Sequence, residues 1–278
     1  MHALRAESRD VRALVRNKAA AAQFESLGVE TVTGDIGDPA SLRAAVEGCT
    51  HVVHLVAIIK GRPQEFHAVM TEGTKSLIAA AKDAGAERFV LMSALGAHEP
   101  TPATVPYYRA KWAMEQELIA SGLEYTIFRP SFVFGKGGAL LTFVKQVRYS
   151  PVVTVIGDGR QRSQPIWVED VASYFAKAIE NPEAANQTFE LGGPDIVNWN
   201  ELYQLIAKVL GKRRSLLHIP FAVAKAGAIA TQRLPGAPLS ADQVAMLQGA
   251  DNVVENQAAT TTFNLTLLPL EDQIRRSL

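Results

Sequence analysis

Tyr107 and Lys111 stand four residues apart in a stretch, 106–121, that reads as a helix, so their side chains share one face. A free tyrosine has a pKa near ~10 and is a poor base at neutral pH. A neighbouring ammonium favours the phenolate and lowers that value, and the pair can then move a proton to or from a substrate oxygen. Ser93 ends a predicted strand, 88–93, at the carboxyl edge where open α/β sheets bind ligands, and its hydroxyl can hold a reacting carbonyl or alcohol. By spacing alone, the same residues also describe an aromatic at a helix start and a solvated lysine. Tyr108 is a decoy, because its fourth neighbour is Trp112.

Other chemistry is disfavoured. The six histidines are scattered, and His51 and His54 fall on opposite faces of a strand, so no metal site is expected. FGKGG (134–138) lacks the spacing of a phosphate-binding P-loop and reads as a turn over a cleft. No G-x-S-x-G elbow surrounds Ser93, which argues against a hydrolase. Basic and acidic side chains balance at 28 each, so nothing favours nucleic acid as a partner. The single cysteine, Cys49, cannot form an internal disulfide and fits a reducing compartment. No uncharged apolar run reaches the ~18–20 residues of a membrane span.

The elements that must position these groups alternate. Strands are predicted at 11–16, 29–35, 50–57, 88–93 and 124–129, with helices at 18–27, 41–48, 64–85 and 106–121. This β-α-β-α rhythm with short connections implies a parallel, doubly wound α/β sheet. Beyond Pro130 the pattern loosens: a glycine-rich turn into a helix (134–147), strands at 152–159 and 187–193, a strand passing into a helix (164–179), a helix at 200–211, SLLHIP, and an apolar helix at 220–234. That last helix reads as a core element, or as a greasy wall for a lipid-like substrate or a membrane-surface contact. The tail beyond it is weakly patterned.

Several runs carry more than a fold class. RFVLMSALGA (88–97) and YYRAKWAMEQELIASGLEYTIFRPSFVFG (107–135) resemble the extended and atypical short-chain dehydrogenases, in particular the subfamily around the nucleotide-binding accessory subunit of respiratory complex I. GDIGDPASL (34–42), HLVA (54–57), TEGTKSLIAAAKDAGAERFV (71–90), VIGDGRQRSQPIWVEDVA (155–172) and FELGGPDIVNWNEL (189–202) are further landmarks in family order. The resemblance implies a Rossmann-type domain from 1–130 plus 164–193 and a smaller substrate lobe from 131–163 plus 194–278. One departure is plain. Such proteins open with a strand and a V-T-G-x-x-G-x-x-G loop that packs backbone N–H groups against a pyrophosphate. Here HALRAES (2–8) looks like the tail of the helix that follows that loop. The absent strand belongs at the sheet centre, between 11–16 and 50–57, and the expected explanation is a start codon placed about 20 residues too late, which the upstream reading frame would reveal.

The resemblance also distributes roles. It makes Ser93, Tyr107 and Lys111 the catalytic set, with Tyr107 and Lys111 also touching the cofactor. Arg16 ends the first strand, where an acid would read the ribose of NAD and an arginine suits the 2′-phosphate of NADP; NADP(H) is favoured, with NAD(H) the alternative and a plain surface arginine the bland reading. Asp35 is expected to accept from the adenine amino group, or merely to cap a turn, and Ile36 to pack near the ring. Leu55, Val56 and Ala57 would pass along the adenosine and ribose, and Pro130 would close the nicotinamide position or simply end a strand. Thr71 replaces the family's usual asparagine in T-E-G-T, which puts the usual active-site hydrogen-bond network in doubt.

Three functions follow from these readings. The first is an NADP(H)-dependent oxidoreductase or isomerase acting on a small or lipid-like molecule. The second is a non-catalytic NADPH-binding accessory or assembly protein of a respiratory complex. The third is a nucleotide-sugar epimerase or dehydratase, which an acid at the strand tip would favour and Arg16 does not. The expected location is cytoplasmic, with peripheral attachment at the inner membrane as the variant. The second lobe, which sets specificity, spells out no substrate, and nothing fixes the oligomeric state.

Overall fold

A computed structural model describes residues 1–98, 105–136, 138–231, 240–249 and 251–278. Gly137 of the 134–138 turn and residues 232–234 of the apolar helix lie outside the described residues. In chain order the first elements are α1 (His2–Ala6), β1 (Arg12–Val15), α2 (Lys18–Glu25), β2 (Glu30–Thr33), α3 (Pro39–Val46) and β3 (His51–His54). Then come α4 (Pro63–Phe66), a π-helical turn (His67–Glu72), α5 (Gly73–Asp83), β4 (Arg88–Met92), α6 (Pro106–Ala120) and β5 (Glu124–Pro130). They are followed by β6 (Val133–Phe134), α7 (Ala139–Tyr149), β7 (Val152–Ile156), β8 (Arg162–Ser163), β9 (Ile166–Trp167), α8 (Val168–Ala178) and β10 (Gln187–Leu191). The remainder is β11 (Val197–Asn198), α9 (Trp199–Val209), β12 (Ser215–Ile219), α10 (Phe221–Thr231), α11 (Ala241–Leu247), α12 (Gln257–Phe263) and α13 (Leu270–Arg276).

The chain forms two compact units. The first comprises Met1–Pro102, Pro106–Arg129 and Ala172–Phe189; the second comprises Ala103–Val105, Pro130–Val171 and Glu190–Leu278. In the first unit β3, β4 and β5 are parallel neighbours, and β10 lies beside β5. Their side chains are apolar runs because helices cover both faces of such a sheet. Leu42, Met70, Phe89, Leu91, Met114 and Ile127 are fully buried in one cluster drawn from α3, the π turn, β4, α6 and β5. Strands β1 and β2 form a separate parallel pair. Among the described residues β1 pairs only with β2, and β3 only with β4.

The helix starts follow capping chemistry. Asn17 accepts from the Ala20 N–H at the start of α2, and Asp38 accepts from Ala40 and Ser41 ahead of Pro39 in α3. The sequence reading of one helix over 64–85 needs correction. Residues 67–72 widen into a π turn, and the Thr74 hydroxyl donates to the Met70 carbonyl across it. Gly73 follows this turn because Ile36 presses against it: a Cβ there would lie 2.7 Å from the Ile36 side chain. In the second unit β12 pairs in parallel with β7, and a cluster containing Phe134, Val153, Trp167, Leu202 and Ile206 forms the core. Among the described residues of the tail 241–278, weakly patterned as sequence, are three seven-residue helices.

Helix α6 is fixed to the sheet of the first unit by a charged pair. Arg129, near the end of β5, donates from Nε and Nη2 to the two carboxylate oxygens of Glu115 at 3.0 and 2.6 Å, and Glu115 is wholly buried. Removing one partner strands the other charge in the core. Arg129→Met is therefore expected to cost about 3–5 kcal/mol in urea unfolding, whereas pairing it with Glu115→Gln should restore part of that loss, Lys111 then keeping only the Met92 carbonyl. Equal losses in the single and double variants would contradict this.

Candidate functional site

Strands β3, β4 and β5 run parallel, and His54 and Ser93 stand at or just past their carboxyl ends. Ser93 directly follows β4. It is 2% exposed, its N–H donates to the Phe128 carbonyl at 2.7 Å, and its Oγ is buried without a hydrogen-bond partner. A buried hydroxyl left unpaired costs free energy, which makes it a candidate contact for a ligand oxygen. Lys111 comes up from α6 and donates to the Met92 carbonyl, one residue before Ser93. Its Nζ also lies 6.0 Å from the centroid of the Tyr107 ring. Structure thus brings Ser93, Tyr107 and Lys111 together. The loop after Ser93 bends at Gly96 (φ +100°), where the Tyr108 ring stands 3.2 Å from the place a Cβ would take. Only glycine meets both demands easily.

The electrostatics differ from the sequence expectation. Burial pushes Lys111 down to about 8, against the opposing pull of Glu115 one turn along α6. Tyr107 is raised, first by burial and then by the Tyr108 hydroxyl. The ammonium was expected to lower it. Instead that ammonium is engaged by the Met92 carbonyl, and desolvation of the phenol prevails. Tyr107 therefore rests as a protonated acid.

A third buried group was not singled out from sequence. His54, the last residue of β3, is pushed down to about 3 by burial and by the charge of Lys111. Its Nε2 lies 2.9 Å from the Thr74 hydroxyl oxygen. Thr74 spends its own proton on Met70, so His54 must donate from Nε2 and is a neutral imidazole. The HLVA and T-E-G-T runs both held this signal, but their link is spatial. Thr71 lies buried within the π turn.

In the separate β1–β2 pair, Arg16 is exposed immediately after β1. Asn17 caps α2, and Lys18, missed from sequence, adds a second exposed cation at that helix N-terminus. A run of R-N-K at a strand tip was the available signal. Asp35 is exposed after β2, with Oδ1 accepting from the Gly37 N–H at 2.9 Å, so the turn-capping reading is realised while Oδ2 stays open. Ile36 is not on the open face: its side chain is buried in the core cluster against Gly73. Leu55, Val56 and Ala57 are exposed just past β3, with Leu55 at 55% and Ile59 beside them at 62%. Pro130 ends β5 and falls in the second unit.

The sequence matches the family described as NAD(P)H-binding over residues 1–182. The chain belongs to that family. It is 31% identical over 224 residues to a ceramide reductase of Caulobacter vibrioides, covering 79% of this chain and 69% of that protein. It is 30% identical over 203 residues to NADH dehydrogenase [ubiquinone] 1 alpha subcomplex subunit 9, mitochondrial, of Arabidopsis thaliana, covering 69% of this chain but only 48% of that protein. An NADPH-dependent quinone oxidoreductase from Escherichia coli, complexed with NADPH, shares the fold: TM-score 0.77, 19% identity, 95% of this chain and 89% of that one. The motif-based resemblance to reductase-like Rossmann proteins therefore stands.

The residues present fit such a cofactor. The unpartnered Ser93 hydroxyl suits the reacting end, the exposed Leu55, Val56, Ala57 and Ile59 suit a ribose and adenine, and Arg16 with Lys18 suits a phosphate. Residues 1–27 contain no glycine, so none of them forms the backbone loop that holds a pyrophosphate. Among the described residues no helix is long and apolar enough to cross a membrane.

The lowered Lys111 value has a sign that stability can report. The folded protein releases this proton near pH 8, while the unfolded chain holds it to about 10.5. Between those values the unfolded state binds more protons, so stability rises with pH through this group. In urea unfolding, wild type should gain stability relative to Lys111→Met from pH 8 to 10; a constant difference would refute the assignment.

Proposed function

We propose that the protein is an NADP(H)-dependent oxidoreductase or isomerase, working in the reducing direction on a carbonyl- or quinone-like group of a small or lipid-like molecule. One observation carries this reading: the Lys111 ammonium bonds the carbonyl next to Ser93, whose buried hydroxyl has no partner, on the helix face that bears Tyr107. A bound nicotinamide supplies the hydride. Ser93 donates to the substrate oxygen and orients it. Tyr107, kept protonated by burial, gives its proton to that oxygen as negative charge develops. Lys111, still charged below about pH 8, offsets the phenolate that remains. The name of the Caulobacter relative, ceramide reductase, supports a lipid-like substrate.

NADP(H) is favoured over NAD(H) because Arg16 and Lys18 stand at the tip of β1 with no acid between them. The same feature disfavours the nucleotide-sugar epimerase reading. An accessory role without turnover remains the second reading. It is supported by Lys111 being engaged by Met92 and by the name of the Arabidopsis relative, which would place this chain with a respiratory complex.

The test is reduction of a panel of quinones and carbonyls with NADPH. Tyr107→Phe should lower kcat by about 100- to 10,000-fold while NADPH binding persists. The rate should fall as pH rises through about 8, when Lys111 loses its proton. Tight NADPH binding with no turnover, and co-purification with a respiratory complex, would decide for the accessory role. Arg16→Ala should weaken NADPH binding about 10- to 100-fold and leave NADH unchanged, as loss of a charge-assisted contact requires. Equal effects on both cofactors would remove Arg16 from the site.

A further inference from the structure

Helix α10 is patterned the wrong way round for water. At 100° per residue, Phe221, Ala224, Ala228 and Thr231 share one arc; Ala228 is buried, the other three half-buried, and α11 packs on this helix. The remaining arc of roughly 200° carries Ala222, Val223, Lys225, Ala226, Gly227, Ile229 and Ala230, all exposed. Val223 is 59% and Ile229 50% exposed. A surface helix normally turns its polar face outward. Here the outward face is apolar, with Lys225 alone at its margin.

The strand that leads into α10 also exposes an apolar side chain. Leu217 on β12 is 54% exposed, and it stands on the same face as Ser215, whose parallel partner Val152 is also exposed. Charge is segregated as well. No aspartate or glutamate occurs in residues 139–157 or 202–231, although the whole chain is balanced. Lys212 and Arg213 are exposed at the start of β12, and Arg214 donates to the Val147 carbonyl at the end of α7.

We propose that this face of the second unit, α10 with the exposed side of β12, seats on an anionic phospholipid bilayer. Apolar side chains on the outward arc enter the acyl boundary, and Lys225 reaches back to the headgroups. Lys212 and Arg213 add attraction to the negative surface. A second copy of this chain is a poor occupant, because the charged residues of 212–231 are all cationic and would be brought against themselves. The proposal is independent of any catalytic role for Tyr107.

Co-sedimentation with vesicles tests it. The protein should partition onto vesicles of phosphatidylglycerol in phosphatidylcholine, far less onto phosphatidylcholine alone, and salt should weaken it. Val223→Asp with Ile229→Asp, and separately Lys212→Glu with Arg213→Glu, should each lower partition by about tenfold or more. No partition onto anionic vesicles, or equal partition in wild type and both variants, would overturn the proposal. So would a dimer in sedimentation equilibrium that Val223→Asp dissolves while vesicles are ignored. Should the acidic variants unfold, Val223→Trp serves: its emission should shift to the blue and be quenched by brominated phosphatidylglycerol, and an unmoved spectrum counts against the proposal.

Discussion

Burying the ammonium of Lys111 at 2% exposure sets the terms for its neighbours. An isolated charge in such a place is costly unless polar groups meet it. The Met92 carbonyl at the end of β4 meets it directly, and Glu115 one turn along α6 supplies the opposite charge. Glu115 is in turn held by Arg129 from β5. This chain of contacts ties α6 to two adjacent strands and so places Tyr107 beside the end of β4. Burial, with the charge of Lys111 added to it, also keeps His54 neutral, and its Nε2 is paired with Thr74. Ser93 then stands next to the carbonyl that Lys111 engages, with its hydroxyl unpaired.

Much of this was legible in the order of residues. Parallel strands covered on both faces must be short apolar runs, and the runs at 88–93 and 124–129 correspond to β4 and β5 within a residue or two. The pairing of Tyr107 with Lys111 followed from helical spacing. What the spacing could not show is where the ammonium would go. Its partner is a backbone carbonyl, which every residue owns, so no side chain betrays it. The same reason hid the π turn, where the Thr74 hydroxyl donates to the Met70 backbone carbonyl. The burial of Ile36 was equally hidden, because an apolar residue after a strand can face either a ligand or the core, and the glycine that receives its side chain lies far along the chain at Gly73. The tail helices were faint because each spans only seven residues. Contacts from distant positions hold them, as where Asp195 accepts from the Leu270 N–H and Asp170 from the Leu268 N–H.

Reduction and non-catalytic cofactor holding can share this geometry. A protonated Tyr107 beside a partly titrating Lys111 is suited to proton donation, yet the same arrangement is silent if no substrate reaches Ser93. What both readings require is that the carboxyl edge of the first unit accept NAD(P)H, with one end at Ser93 and Lys111 and the other at Arg16 and Asp35. The direct measurement is a titration of the isotope-labelled protein with NADPH, followed by amide chemical shifts. Perturbations should concentrate at residues 16–18, 34–37, 55–59 and 93–97. Shifts absent at saturating NADPH, or confined to residues of the second unit, would contradict this placement of the cofactor.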